Sequence, residues 1–180
     1  MSDEDRVRWD KRHAGAENLE PGPPALFVST QELFPTEGQA LEIACGRGET
    51  AVWLALRGME VRAVDISPVA IDLAWGLAAD NGVDRRCHFD VWDLDDGLPP
   101  GPPADLLLCH MFREVALYPA LVDRLAPGGI LAVAGLSTVG GEPGSFRAAR
   151  GELREAFRRL DVMVEGEGNG LAHFLGRKPN

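Results

Sequence analysis

Apolar and polar positions fall in blocks along the chain, and each block predicts one element. Residues 2–20 are polar, with Trp9 isolated among charges, which predicts a frayed helix whose one aromatic docks on the surface. Pro21-Gly22-Pro23-Pro24 is a rigid break, and Ala25 to Phe34 then reads as a helix leaning on a sheet. After the turn Pro35-Thr36-Glu37-Gly38, an apolar run from Ala40 to Ala44 predicts a first strand. It ends in a glycine-rich turn, Cys45-Gly46-Arg47-Gly48, which opens into a helical segment from Ala51 with a stop at Gly58. Val61-Arg62-Ala63-Val64 is a second strand ending in Asp65. Ser67 is a good N-cap, Pro68 suits the first helical position, and Ile71, Ala74 and Ala78 form the apolar stripe of a helix that Asn81-Gly82 ends.

The second half continues the alternation. Cys87 to Asp93 predicts a third strand, and Leu98-Pro99-Pro100-Gly101-Pro102-Pro103 a stiff loop. Ala104 to His110 is a continuous apolar run, as in a central parallel strand buried on both faces. Arg113–Leu125 reads as helical, with Pro119 starting its second half, and a fifth strand runs from Ile130 to about Leu136. Ser137 to Gly144 is glycine-rich, and Gly151 to Leu160 predicts a helix. Val162-Met163-Val164, a turn around 166–170 and Leu171 to Gly176 predict an antiparallel hairpin at a sheet edge. The fold class expected is α/β, built on a doubly wound, mostly parallel sheet.

Composition narrows what such a fold would do. At 180 residues the length suits one domain, and 45% apolar with 26% charged residues suits an ordinary globule. No apolar run reaches the ~18 residues of a membrane span, and Met1-Ser2-Asp3-Glu4-Asp5 is unlike the basic start of a signal peptide. Three cysteines without scaffold spacing suggest reduced thiols in a cytoplasmic protein. A net charge of −10 argues against nucleic acid and favours a small-molecule partner.

The candidate chemistry sits in the first glycine turn. Strand, tight turn and helix N-terminus make a platform for a nucleotide-like ligand. A dinucleotide fingerprint would read G-x-G-x-x-G, but here Gly46-x-Gly48 is followed by Ala51, and a carboxylate, Glu42, precedes Gly46 by four residues. A nearby carboxylate repels pyrophosphate and tolerates a cationic or zwitterionic ligand. Asp65, at the end of the second strand, is placed to accept hydrogen bonds from two ribose hydroxyls. The pair favours S-adenosylmethionine over NAD.

These stretches resemble a known family. Glu42-Ile43-Ala44-Cys45-Gly46-Arg47-Gly48 resembles the first motif of class I S-adenosylmethionine-dependent methyltransferases, commonly D/E-x-G-x-G-x-G. Val64-Asp65-Ile66-Ser67-Pro68 resembles their second motif, and Leu125-Ala126-Pro127-Gly128-Gly129-Ile130-Leu131 the segment leading into their fifth strand. Trp9-Asp10-Lys11-Arg12 and Gly151-Glu152-Leu153-Arg154 are similar to stretches of the small tellurite-resistance and thiopurine methyltransferase-like branch.

The resemblance implies a Rossmann-like sheet of seven strands, the last antiparallel, in a single domain of residues 1–180. Residues 1–24 would be an N-terminal lid segment and 25–180 the core. It implies S-adenosylmethionine as cofactor, held by Trp9, Glu42, Ala44, Cys45, Gly46, Gly48, Asp65, Ile66, Trp92, Asp93, Leu94 and His110. Asp93 would bind the adenine amino group with Trp92 and Leu94 beside the ring, within a register uncertainty that includes Asp95 and Asp96. Trp9, Arg12 or His13 would cover the cofactor. Ala44 departs from the motif, whose first glycine it replaces.

The implied reaction is methyl transfer by in-line displacement to the oxygen, sulfur or chalcogen of a small acceptor. Positioning supplies much of that catalysis. His110, with Met111 and Phe112 next to it, falls near the transferable methyl, and it is either a general base for a hydroxyl acceptor or a hydrogen-bonded histidine at a strand end. Cys87-His88 and Cys109-His110 point to opposite faces of their strands and do not chelate a metal as pairs. A binder that keeps the cofactor site without catalysis, and an NAD-dependent oxidoreductase, are the competing classes.

Overall fold

The structure is a computed structural model and describes residues 3–15 and 20–180. Parts of the expected lid segment, residues 1–2 and 16–19, lie outside the described residues. The chain divides into two compact units, residues 1–101 and 102–180.

The first unit holds the helix α1 (Asp3–His13), the strands β1 (Gln39–Ile43), β2 (Glu60–Asp65) and β3 (Cys87–Val91), and the helices α2 (Glu49–Leu56) and α3 (Pro68–Asp80). Its strands are ordered β3-β2-β1 and run parallel. α3 forms as its sequence requires. The Ser67 hydroxyl accepts from the Ala70 amide at 3.1 Å, Pro68 opens the first turn, and Ala70, Ile71, Ala74, Leu77 and Ala78 are buried. α2 follows Gly48 and ends before Gly58, where a Cβ would lie 2.4 Å from the Thr36 carbonyl oxygen. The expected helix over Ala25–Phe34 is instead a 3-10 helix, Ala25–Leu33, interrupted at Thr30 (φ −129°). Pro24 sets its start, and Phe27 and Phe34 bury their rings edge-on, 5.7 Å apart.

The second unit holds β4 (Ala104–His110), α4 (Tyr118–Arg124), β5 (Leu125–Leu136), α5 (Glu152–Ala156), β6 (Asp161–Gly168) and β7 (Leu171–Arg177), with strand order β4-β5-β7-β6. β4 and β5 are parallel, and β7 runs antiparallel to both β5 and β6. Leu106, Leu107 and Leu108 are all fully buried, as the unbroken apolar run requires. Pro119 lies in the first turn of α4. The ladder of β5 begins earlier than expected, at Leu125 opposite Ala104, with a register shift before Ile130. α5 is shorter than the Gly151–Leu160 expectation, because Phe157 (φ −106°) leaves the helix.

Seven strands thus make one mostly parallel sheet with antiparallel last strands, the α/β Rossmann-like fold expected. Among the described residues no helix is long and apolar enough to cross a membrane.

Candidate cofactor site

The glycine turn after β1 is built from backbone that side chains rarely adopt. Ala44 (φ +53°), Gly46 (φ +54°) and Gly48 (φ +78°) all lie in the left-handed region. Gly48 has a second reason to be glycine. A Cβ there would sit 2.7 Å from the Ala74 Cβ and 3.0 Å from Phe89, so α3 and β3 close on the bare backbone. Ala44, where the motif has glycine, carries its methyl in a conformation that costs about 1–2 kcal/mol.

Two carboxylates organise this turn. Asp65 Oδ2 accepts from the Gly46 amide at 2.8 Å and Oδ1 from the Ser67 amide at 3.0 Å, so the end of β2 is tied to the glycine turn. Each oxygen keeps acceptor capacity for a further donor. Glu42 is 4% exposed, and its Oε2 has no hydrogen-bond partner. The amide of Ala51, in the first turn of α2, bonds to its carboxyl. Burial first, then the charges of Asp65 and Glu49, push the Glu42 pKa up to about 8. A buried carboxyl oxygen lacking a donor fits a ligand that brings one with positive charge. The residues present therefore fit the cationic cofactor that the motif implies.

Cys45 is buried, and burial, then Glu42 and Asp65, raise its thiol well above the usual range. A thiol held protonated is packing, not a nucleophile. Ile66 is buried next to Asp65. Arg47 and Glu49 form a half-exposed ion pair at 3.0 Å on the rim.

α1 lies over this turn. The His13 Cε1 is 3.6 Å from where a Cβ on Gly46 would be, and Trp9 stacks on His13 with ring centroids 5.9 Å apart. The Arg12 guanidinium lies 5.3 Å from the Trp9 ring centre. His13 has its pKa lowered, chiefly by burial. The Ser67 hydroxyl donates to Asp10 Oδ1 at 2.5 Å, fastening α1 to the start of α3. Nothing in the Trp9-Asp10-Lys11-Arg12 stretch itself points Asp10 to Ser67; the fold brings the two together.

Beyond β3, the Trp92 amide donates to the Asp65 carbonyl at 2.9 Å, and its indole N–H to the Gly97 carbonyl at 2.9 Å. Asp93 caps the following 3-10 turn, its Oδ1 accepting from the Asp95 amide at 2.9 Å, and Leu94 is buried. Asp95 and Asp96 lie within that 3-10 turn, Leu94–Asp96.

His110 belongs to the second unit, at the end of β4 opposite Ala134 of β5. Burial lowers its pKa. Met111 follows with φ +59°, its amide bonded to the Ala134 carbonyl at 2.7 Å, and the Phe112 carbonyl accepts from the Cys109 thiol at 3.4 Å.

Residues 40–129, half of the chain, match the family described as "Methyltransferase domain". The chain belongs to this methyltransferase family. Among its relatives, the ribosomal protein L11 methyltransferase of Pseudomonas paraeruginosa is 34% identical over 145 residues, covering 78% of this chain and 45% of that protein. The 2-heptyl-1-hydroxyquinolin-4(1H)-one methyltransferase of Mycobacteroides abscessus is 41% identical over 74 residues, covering 41% of this chain and 32% of that protein. The chain thus spans half or less of the length of these relatives. TehB from Haemophilus influenzae shares the fold, with a TM-score of 0.75 at 17% identity over 96% of this chain and 66% of that one.

Proposed function

We propose that the chain is an S-adenosylmethionine-dependent methyltransferase for a small-molecule acceptor bearing an oxygen, sulfur or chalcogen nucleophile. The observation that carries this reading is the buried Glu42 Oε2, lacking a partner beside a turn whose glycines keep the backbone bare. The family membership supports it.

In this reading Glu42 faces the cationic part of the cofactor, Asp65 accepts from the ribose, and Gly46 and Gly48 with Ala44 and Cys45 let the backbone approach. Ile66, Trp92, Asp93 and Leu94 enclose the adenine, and Trp9 on α1 covers the turn as part of a lid formed by residues 1–24. Residues 25–180 form the core of one domain. The cofactor supplies a methyl group on positively charged sulfur when bound. His110, half-buried and with a lowered pKa, is neutral at pH 7 and accepts a proton from a hydroxyl acceptor. His110 also belongs to the cofactor-contacting set.

The net charge of −10 and the relative that methylates a hydroxyquinolone support a small acceptor without nucleic-acid partner. Three buried cysteines, none in a disulfide, support a reducing, cytoplasmic setting. A protein acceptor is the second reading, favoured by the relatives named for ribosomal protein L11.

The test is release of S-adenosylhomocysteine from S-adenosylmethionine in the presence of hydroxyquinolones, phenols, thiols, carboxylates, tellurite and ribosomal protein L11. Turnover with a small acceptor supports the proposal. Turnover with L11 alone replaces it by the second reading, and cofactor binding without any turnover favours a non-catalytic binder.

A further inference from the structure

The Asp65 carboxylate is held by two amides, and α1 rests on both of the residues that supply them. The Gly46 amide donates to Oδ2 at 2.8 Å and the Ser67 amide to Oδ1 at 3.0 Å. Each oxygen keeps a lone pair for a further donor, and where the two amides stand decides the direction of that lone pair. Ser67 is the junction between β2 and α3, and Gly46 lies in a left-handed turn (φ +54°) with no side chain to anchor it. Both anchors therefore gain from a support outside their own segment.

α1 supplies it to each. The fully buried Ser67 hydroxyl donates to Asp10 Oδ1 at 2.5 Å, within the range of a hydrogen bond to a charged acceptor, and accepts from the Ala70 amide at 3.1 Å. Asp10 is itself steadied, its Oδ2 lying 3.6 Å from Arg6 Nη1 one helical turn back. His13 Cε1 packs 3.6 Å from where a Cβ on Gly46 would be, backed by the stacked Trp9 ring. Asp10 and His13 stand three positions apart on α1, so neighbouring turns of one helix meet both anchors. Covering the site needs only apolar contact. The Asp10–Ser67 bond adds direction, because a hydrogen bond weakens steeply as it bends.

We propose that Asp10 is a positioning residue for cofactor recognition: it holds Ser67 so that Asp65 meets both ribose hydroxyls, while His13 steadies Gly46 on the other carboxylate oxygen. The inference rests on the reading of Asp65 as the ribose acceptor. A carboxylate that takes two hydroxyls of one sugar must be held to within about 0.5 Å. Without Asp10 the Ser67 hydroxyl loses its acceptor, the Ser67 amide is less firmly placed, and Asp65 Oδ1 turns with it. The ribose contact then weakens more than the rest of the cofactor's contacts do.

The test titrates the full chain with S-adenosylhomocysteine and with its 2′-deoxy analogue by calorimetry. The ratio of the two affinities isolates ribose recognition, since loss of a helix that merely covers the site weakens both ligands alike. Wild type is expected to bind the deoxy analogue about tenfold or more weakly. Asp10→Ala is expected to narrow that ratio at least about threefold. Asp10→Asn, which keeps an acceptor oxygen at the same reach, is expected to retain most of it. Ser67→Ala keeps the amide that Asp65 uses and removes the link to Asp10; it is a second variant should Asp10→Ala fold poorly, and is expected to narrow the ratio likewise. An unchanged ratio in either variant, once folded, overturns the proposal. A wild-type ratio near one overturns the role of Asp65 on which it rests, and no binding of S-adenosylhomocysteine overturns the methyltransferase reading beneath both.

Discussion

Replacing Glu42 by glutamine keeps the shape of the side chain and removes its charge. In the wild type the carboxyl is buried among the acids Asp65 and Glu49 and the Cys45 thiol, with only the Ala51 amide favouring its ionised form. A pKa pushed up to about 8 leaves it about one-tenth ionised at pH 7. A cation beside Glu42 binds the ionised form, so cofactor affinity rises with pH. The gain is about tenfold between pH 7 and 9, or ~1.4 kcal/mol, and it levels off above that range. The amino group of S-adenosylmethionine titrates near ~8 itself. The quantity to read is therefore the ratio of wild-type to Glu42→Gln affinity at each pH, in which the ligand's own titration cancels. Calorimetry in two buffers of different ionisation enthalpy also counts protons, and wild type should release about one more per cofactor bound at pH 7 than Glu42→Gln does. A ratio flat from pH 6.5 to 9, with equal proton counts, refutes the reasoning.

The same pKa carries a sign for folding. Between the ordinary value of 4.5 and about 8, Glu42 is neutral when folded and charged when unfolded. The unfolded state gains over this window, so Glu42 costs the wild type stability as pH rises from about 4.5 to 8, by up to ~5 kcal/mol. Glu42→Gln should lack that component in urea titrations across the window.

The remaining expectations concern the same turn. Asp65→Ala leaves the Gly46 and Ser67 amides without their acceptor; it should weaken cofactor binding several-fold and destabilise by ~1–3 kcal/mol in urea unfolding, and unchanged affinity removes Asp65 from the site. Ala44→Gly releases a left-handed alanine worth ~1–2 kcal/mol against ~0.4–1 kcal/mol of added unfolded-state freedom, so the urea midpoint should rise slightly; a fall contradicts it. Gly48→Ala places a methyl 2.7 Å from the Ala74 Cβ and should destabilise by ~2 kcal/mol or more. Ser67→Ala removes the α3 cap and the donor to Asp10, costing ~1 kcal/mol, and hydrogen exchange in α1 should speed up.

Local chemistry made much of this legible in the sequence. The glycine turn, the Ser67-Pro68 start of α3 and its Asn81-Gly82 end depend on neighbours within a few residues, and the structure keeps them. The hairpin was legible in kind but not in extent. Its turn is the two residues Asn169 (φ +53°) and Gly170 (φ +77°), so β6 continues to Gly168 where a longer loop was expected. The Asn-Gly pair is itself the signal for that tight turn. Contacts between distant residues were not legible. Asp10 and Ser67 are 57 positions apart, and Glu152 meets Arg113 and Tyr118 across 39 and 34. The left-handed backbone of Ala44 has its only signal in the motif, whose first glycine it replaces; the alanine itself does not announce it.

In the proposed reading, the turn after β1, with Glu42 and Asp65, holds S-adenosylmethionine. Calorimetric titration of the chain with S-adenosylmethionine, S-adenosylhomocysteine and NAD tests it most directly. One-to-one binding of both sulfur nucleosides, and none of NAD, is expected. Binding of NAD in their place, or of none of the three, contradicts it.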